Sequence, residues 1–150
     1  MVDGGKLALQ LLRIVTGFVL SLIAAGGFLA WGLFRPEGFE QDPAAFAAAV
    51  GTALVWASIL GATAFIPAGV AIVVAEALRL KGIIFHLAAG GLIAFGLWTF
   101  GSATAEPAVR PGSTVVVAAG FIAGFVYWLI AGRSAGNWRV PAEQPTDAPS

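Results

Sequence analysis

Five charged or titratable side chains lie at the ends of the apolar segments of this sequence, where they could form a polar cluster. They are Arg13, Glu76, Arg79, His86 and Arg133. In a functional interpretation, Glu76 exchanges a proton or contacts a cation at the mouth of a path through a membrane. In the alternative, Glu76 pairs with Arg13 or Arg79 as an anchor at the membrane surface, and the basic side chains extend to lipid phosphates. We favour the anchor because none of these residues needs to lie near the membrane midplane, where a charge is most costly.

His86 is the only histidine of the chain, and it is the residue that could bind haem or a metal ion. It stands at helical spacing from the small residues Gly90 and Ala94. A bis-histidine haem would need a second chain to supply the other ligand, since the only methionine is Met1. The chain also has no cysteine, so the sequence predicts no metal site and no cofactor. His86 is then expected to be a hydrogen-bonded histidine at the membrane interface.

The sequence carries none of the common catalytic motifs, and no motif identifies a protein family. A Ser/His/Asp constellation, an HExxH motif, a phosphate-binding glycine-rich loop and paired carboxylates within one apolar segment are all missing. The 8 basic residues are balanced by 8 acidic ones, whereas nucleic-acid binding needs a basic surplus on one face. We therefore predict a protein that is not an enzyme and has no nucleic-acid partner.

The composition predicts that lipid surrounds most of the chain. Of the 150 residues, 59% are hydrophobic and 11% are charged. In soluble globular proteins about a quarter of the residues are charged. The sequence therefore predicts an all-α membrane protein whose main partner is the lipid bilayer.

Four apolar segments are long enough to cross the hydrocarbon core as helices, which takes about 20 residues. The predicted spans are residues 14–34, 46–75, 83–101 and 113–132. Asp42 and Pro43 are typical of the start of a helix and should begin the second one. Pro67 lies within that second span and cannot donate a hydrogen bond to the carbonyl of Thr63, so a kink is expected there. Residues 1–140 should form one bundle of four transmembrane helices, and residues 141–150, with three prolines in VPAEQPTDAPS, a disordered cytoplasmic tail.

The distribution of basic residues predicts how the chain crosses the membrane. On one side fall Lys6, Arg13, Arg79, Lys81, Arg133 and Arg139, and on the other Arg35 and Arg110. By the positive-inside rule both termini should be cytoplasmic, and we expect the membrane to be a bacterial inner membrane. A cleavable signal peptide ending near Ala24 and Ala25 is the competing interpretation of the N-terminus. Its apolar run continues to Phe34, which is too long for such a signal.

An eleven-residue stretch occurs twice, as AAGGFLAWGLF from Ala24 and, 64 positions later, as AAGGLIAFGLW from Ala88. The copies agree at seven positions. They indicate either two parallel hairpins related by duplication or a chance match in a chain rich in alanine, glycine and leucine. Small residues allow neighbouring helices in a membrane to approach closely. The glycines expected to pack between helices are Gly26, Gly27, Gly61, Gly90, Gly91, Gly120 and Gly124.

Two functional hypotheses follow from this pattern. The first is a small membrane protein that acts by helix packing, as an accessory, assembly or homo-oligomeric subunit of a membrane complex. Its partners would be other membrane-protein subunits or further copies of itself. The alternative is a small-solute or ion transporter or channel that works as an oligomer around Glu76 and the kink at Pro67.

Overall fold

The computed structural model describes residues 4–34, 42–100 and 113–137, and the regular elements among them are all helices, with no strand. The helices are α1 (Gly4–Phe34), α2 (Pro43–Leu78), α3 (Ile83–Phe100) and α4 (Ser113–Ile130), with a short 3-10 helix at Gly132–Ser134. The predicted all-α fold is confirmed. The predicted tail, residues 141–150, lies outside the described residues.

Three of these helices are long and apolar enough to cross a membrane, in the ranges Gly4–Gly32, Pro43–Leu78 and Ile83–Phe100. The apolar part of α4, Thr114–Ile130, is shorter. Large hydrophobic side chains cover the outer surface, as at Ile66, which is 76% exposed, and Ile84, which is 80% exposed. Apolar surface of this kind suits lipid better than water. The structure is consistent with a helical membrane bundle, and the fourth crossing stays a prediction.

The helix ends follow local sequence signals. The Asp42 carboxylate accepts a hydrogen bond from the backbone N–H of Ala45 at 2.9 Å, and Pro43 takes the first helical position, as the sequence predicted for α2. At its other end, Arg79 adopts the left-handed conformation, with φ 55°, and its N–H bonds to the carbonyl of Ala75. Helix α1 begins at Gly4, well before residue 14, where the predicted first span begins. The prediction follows the apolar segment alone, whereas the helix also includes the polar residues that precede this segment.

Pro67 lies inside α2, and the helix continues on both sides of it. Proline leaves one carbonyl of the preceding turn without its helical partner. The hydroxyl of Thr63 donates to the carbonyls of Ile59 and Leu60, at 2.9 and 3.3 Å, and so is satisfied within its own helix. The kink itself stays a prediction.

The helices form an incomplete ring in the order α2, α1, α4, α3. Helix α1 packs extensively on α2 and on α4, and α3 packs extensively on α4. Helices α2 and α3 are joined by the short connection at residues 79–82 but touch only sparsely. A seam between α2 and α3 therefore remains where the ring would close.

Each copy of the repeated stretch uses its first glycine to bring two helices together. A Cβ atom added to Gly26 of α1 would collide with the carbonyl oxygen of Ala53 and lie 2.9 Å from the backbone nitrogen of Ala57, both on α2. A Cβ added to Gly90 of α3 would collide with the carbonyl of Gly120 on α4, next to Gly124. In both hairpins the first glycine of the pair thus contacts two small residues spaced four apart on the following helix.

The other glycines predicted to pack between helices differ in their surroundings. A Cβ on Gly124 would meet the His86 carbonyl, and one on Gly61 would lie 3.0 Å from Leu22 Cδ1. The second glycine of each pair differs between the copies. A Cβ on Gly91 would press on the Phe121 ring, whereas one on Gly27 would have no neighbour within 4 Å.

Candidate functional site

A buried polar cluster joins three parts of the chain at one end of the bundle. Gln10 of α1 donates through Nε2 to Glu76 Oε1 of α2 at 2.6 Å. The hydroxyl of Ser134, in the 3-10 helix after α4, donates to Gln10 Oε1 at 2.8 Å. The backbone N–H of Gly136 donates to Glu76 Oε2 at 2.7 Å. We call these four residues the Gln10–Glu76 cluster.

Burial explains why this cluster is organised around an amide and a carboxylate. Gln10 is 4% exposed and Ser134 9% exposed, so an unpaired polar atom on either would be costly. Gln10 uses both ends of its amide, one as donor and one as acceptor, and Ser134 also donates to the Ala131 carbonyl at 3.0 Å. The two oxygens of Glu76 accept from the neutral donors of the cluster. The cluster therefore fixes the chain after α4 to the ends of α1 and α2.

The segment after α4 is held at further points around the cluster. Gly136 has φ 72°, a left-handed conformation that glycine adopts at little cost. Lys81, in the connection between α2 and α3, donates through Nζ to Asn137 Oδ1 at 2.6 Å. The indole of Trp128 donates to the Lys81 carbonyl at 2.9 Å. These two bonds tie α4 and the segment after it to the connection between α2 and α3.

The five residues predicted to form a polar cluster are found at this same end, but they do not form one hydrogen-bonded group. Glu76 is the member that joins the Gln10–Glu76 cluster. Arg79 caps α2, and its side chain lies against Gly136. Arg13 is exposed on α1. Arg133 donates to the carbonyl of Leu129 and lies over the Trp128 ring, 5.7 Å from its centroid.

His86 is buried close to the cluster, with only 5% of its surface exposed. Its Nδ1 lies 2.9 Å from the Gly82 carbonyl, which can only accept, so Nδ1 carries the proton. Its Nε2 is buried and has no hydrogen-bond partner among the described residues. A Cβ on Gly132 would lie 2.7, 2.9 and 3.1 Å from Nε2, Cε1 and Cδ2, which places Gly132 against the ring face. Tyr127 stacks with the ring at a centroid distance of 5.8 Å.

A cavity of about 120 Å³ lies between the four helices, and His86 contributes to its wall. Three of its lining side chains carry polar atoms: Ser21, His86 and Tyr127. The Ser21 hydroxyl already donates to the Phe18 carbonyl at 2.7 Å. The remaining lining residues are alanine, glycine, valine, leucine, isoleucine and phenylalanine. The interior of the bundle at this depth is therefore almost wholly apolar.

Gln10 and Ser134 are not among the site residues that the sequence predicts. Gln10 stands in the apolar stretch LALQLL and lies outside the predicted span, which begins at residue 14. A single amide among apolar residues on a helix could have indicated a buried hydrogen-bonding position. Ser134 carries no comparable signal, because its burial depends on the 3-10 turn that folds back after α4.

Within the described ranges no group of three or more histidine, cysteine, aspartate or glutamate side chains could hold a metal ion. The hydrogen bonds of the Gln10–Glu76 cluster connect helix ends. Comparisons of the chain with protein-family models, curated proteins and solved structures give no match.

Proposed function

We propose that this protein is a non-catalytic integral membrane protein of the bacterial inner membrane, with four transmembrane helices and cytoplasmic termini. It acts through helix packing, as an accessory, assembly or homo-oligomeric subunit of a membrane complex. The observation that carries this proposal is the role of Glu76, an acidic residue that the described part of the chain places at the inner end of the helices. Both oxygens of Glu76 accept hydrogen bonds that fasten the chain ends together.

The orientation is supported by where the described basic residues lie. Hydrogen bonds of the Gln10–Glu76 cluster bring the start of α1, the end of α2 and the end of α4 to one end of the bundle. Lys6, Arg13, Arg79, Lys81 and Arg133 all belong to those chain ends or to the adjoining connection. A concentration of lysine and arginine at one end favours the cytoplasmic side for that end. Arg35, Arg110 and Arg139 lie outside the described residues.

A packing function is also supported by glycines that face outward. Gly51 is exposed on α2, and a Cβ added there or at Gly27 would meet nothing within 4 Å. In a membrane such positions leave room for the backbone of another helix. The alternative, an ion or small-solute transporter, would need polar groups along the interior, and the central cavity offers three polar side chains. The geometry therefore favours packing over transport.

Purification of the full chain in a mild detergent, followed by cross-linking and mass spectrometry, tests the packing function. We expect a complex of fixed stoichiometry, either with a defined membrane partner or with further copies of the chain. Gly51→Leu and Gly27→Leu should not lower the melting temperature of the isolated chain, because leucine favours a helix more than glycine does, and the one that faces the partner should abolish the complex. A chain that stays monomeric and unaccompanied in native-like nanodiscs would contradict the proposal.

Transport is tested separately in liposomes. If the purified protein moves protons or a cationic solute and Glu76→Gln abolishes this movement, the transporter alternative replaces our proposal. For the orientation, we expect alkaline phosphatase fused after Gly112 to be active and the same enzyme fused after Ala142 to be inactive. The reverse pattern would overturn the orientation and leave the packing function to be judged on the complex.

A further inference from the structure

The seam between α2 and α3 breaks the symmetry that two parallel hairpins would have. Two such hairpins related by a twofold axis would pack α3 on α2 as closely as α1 packs on α4. Helices α1 and α4 are in intimate contact, since a Cβ on Gly17 would lie 3.3 Å from the Tyr127 ring and 3.4 Å from Ala131 Cβ. Helices α2 and α3 touch sparsely instead. The seam therefore lies on one side of the central cavity.

Small side chains on α2 create the space next to the seam. Ala64, Ala68 and Ala71 recur at helical spacing on the face of α2 that lines the cavity. Opposite them, α3 contributes Ala89 and Ile93. Alanine at these positions leaves a gap where larger side chains would close the interface. The cavity is thus bounded by α2 and α3 at the same place where their mutual contact is weakest.

The chemistry of the cavity selects its occupant. A water molecule in a buried site needs two to four polar partners. Of the polar atoms on the lining side chains, the hydroxyl of Ser21 is already engaged with its own helix, His86 Nδ1 is bonded to the Gly82 carbonyl, and His86 Nε2 is buried against Gly132. The hydroxyl of Tyr127 is then the remaining polar group of the described lining side chains, which is too few for a water molecule. An apolar cavity of about 150 Å³ stays dry and accepts a molecule the size of benzene. At about 120 Å³ the cavity suits a hydrocarbon chain of a few carbons, and it is far too narrow for another helix, whose diameter is about 10 Å.

We infer that an acyl chain of a bilayer lipid enters the seam between α2 and α3 and occupies the central cavity. This inference rests on the membrane location in the proposed function. The acyl chain of the lipid replaces contacts that α3 would otherwise make with α2. The terminal carbons of the acyl chain lie against Ala68, Ala89 and Ala119. The lipid acts as a removable packing element of the bundle, at the one interface that the protein leaves incomplete.

Photolabelling in liposomes tests this inference with the full chain. The probe is a phosphatidylcholine with a diazirine group near the end of one acyl chain, and the adducts are located by mass spectrometry. We expect adducts on Ala119, which is 3% exposed and faces the cavity, as well as on Ile66, which is 76% exposed on the outer surface of α2. Labelling of Ala119 is the diagnostic result, because lipid outside the bundle cannot reach it.

Cavity-filling variants supply the control. Ala68→Phe should reduce labelling of Ala119 at least fivefold and leave labelling of Ile66 unchanged, whereas Ala62→Phe on the exposed face of α2 should leave both unchanged. If Ala68→Phe lowers the helical circular dichroism, Ala89→Leu from the α3 side serves in its place.

Labelling confined to outward residues such as Ile66 would overturn the acyl-chain inference and leave the membrane location intact. A cross-linked dimer joined through cavity residues would overturn it as well, in favour of a second copy. The absence of any adduct would refute the membrane location, and the proposed function would fail with it.

Discussion

Two adjacent glycines of α1 provide a test of close helix packing in which sequence context is almost constant. Gly26 contacts the backbone of α2, and a Cβ added to it would lie 2.9 Å from Ala57 N and 3.3 Å from Ala57 Cβ, in addition to colliding with the Ala53 carbonyl. A Cβ added to Gly27 has no neighbour within 4 Å. The change to alanine should therefore have opposite effects at the two positions.

The magnitudes follow from two opposing terms. Replacing glycine by alanine in a helix favours the helix by about 1 kcal/mol. Forcing an extra methyl group against atoms that cannot rotate away costs about 1–3 kcal/mol, and the upper value applies to Gly26 because backbone atoms of α2 are in the way. We expect Gly26→Ala to destabilise by about 2 kcal/mol and Gly27→Ala to stabilise by up to about 1 kcal/mol.

Thermal unfolding in a mild detergent, followed by circular dichroism at the helical minimum, measures both variants. A domain of this size shifts its melting temperature by roughly 2–4 °C per kcal/mol, so the two variants should differ by about 6–12 °C. Gly90→Ala, at the equivalent position of the second copy, should behave like Gly26→Ala because it meets the Gly120 carbonyl. Equal melting temperatures for Gly26→Ala and Gly27→Ala would refute the reasoning that the first glycine of each pair brings the helices together.

Three further predictions concern the Gln10–Glu76 cluster. Ser134→Ala should lower the free energy of unfolding by about 1–2 kcal/mol, because it leaves the buried amide oxygen of Gln10 unpaired. The control Ser58→Ala, at an exposed position, should change the free energy of unfolding by less than about 0.5 kcal/mol. Equal effects of the two variants in chemical unfolding would contradict the role of the cluster. Glu76→Gln should speed hydrogen exchange at the Gly136 amide about tenfold, since a bond to a charged acceptor contributes about 1.5 kcal/mol; unchanged exchange would show that the carboxylate does not hold this segment. Gly136→Ala should cost about 1–2 kcal/mol from its positive φ, measured against Gly51→Ala in an exposed helical position; a neutral result in thermal unfolding would argue against the left-handed conformation.

Much of the candidate site was beyond the reach of sequence reasoning, for a physical reason that Gln10 and Ser134 illustrate. Glu76 could be selected in advance, because a carboxylate beside apolar segments is conspicuous whatever surrounds it. Gln10 and Ser134 belong to the site only because the tertiary structure brings α1 and the turn after α4 to that carboxylate. Gln10 bonds to Glu76 across 66 positions of the chain, and Ser134 bonds to Gln10 across 124. Arg13 and Arg133 show the opposite case, since their charge makes them candidates in the sequence but both side chains are exposed, and Arg133 bonds to the Leu129 carbonyl instead.

The sequence by itself determined the helices, because hydrophobicity, proline and capping residues act over a few neighbouring positions. Asp42 with Pro43 was enough to start α2, and the apolar composition was enough to require helices that satisfy their own backbone groups. Only the tertiary structure decided which face of each helix is buried. Gly26 and Gly27 are indistinguishable as residues, and Gly27 and Gly91 occupy the same place in the two copies of the repeated stretch. Their different surroundings, and the seam between α2 and α3, depend on how the four helices pack against one another. Contacts between residues far apart in the chain decide this packing, so no local sequence pattern predicts it.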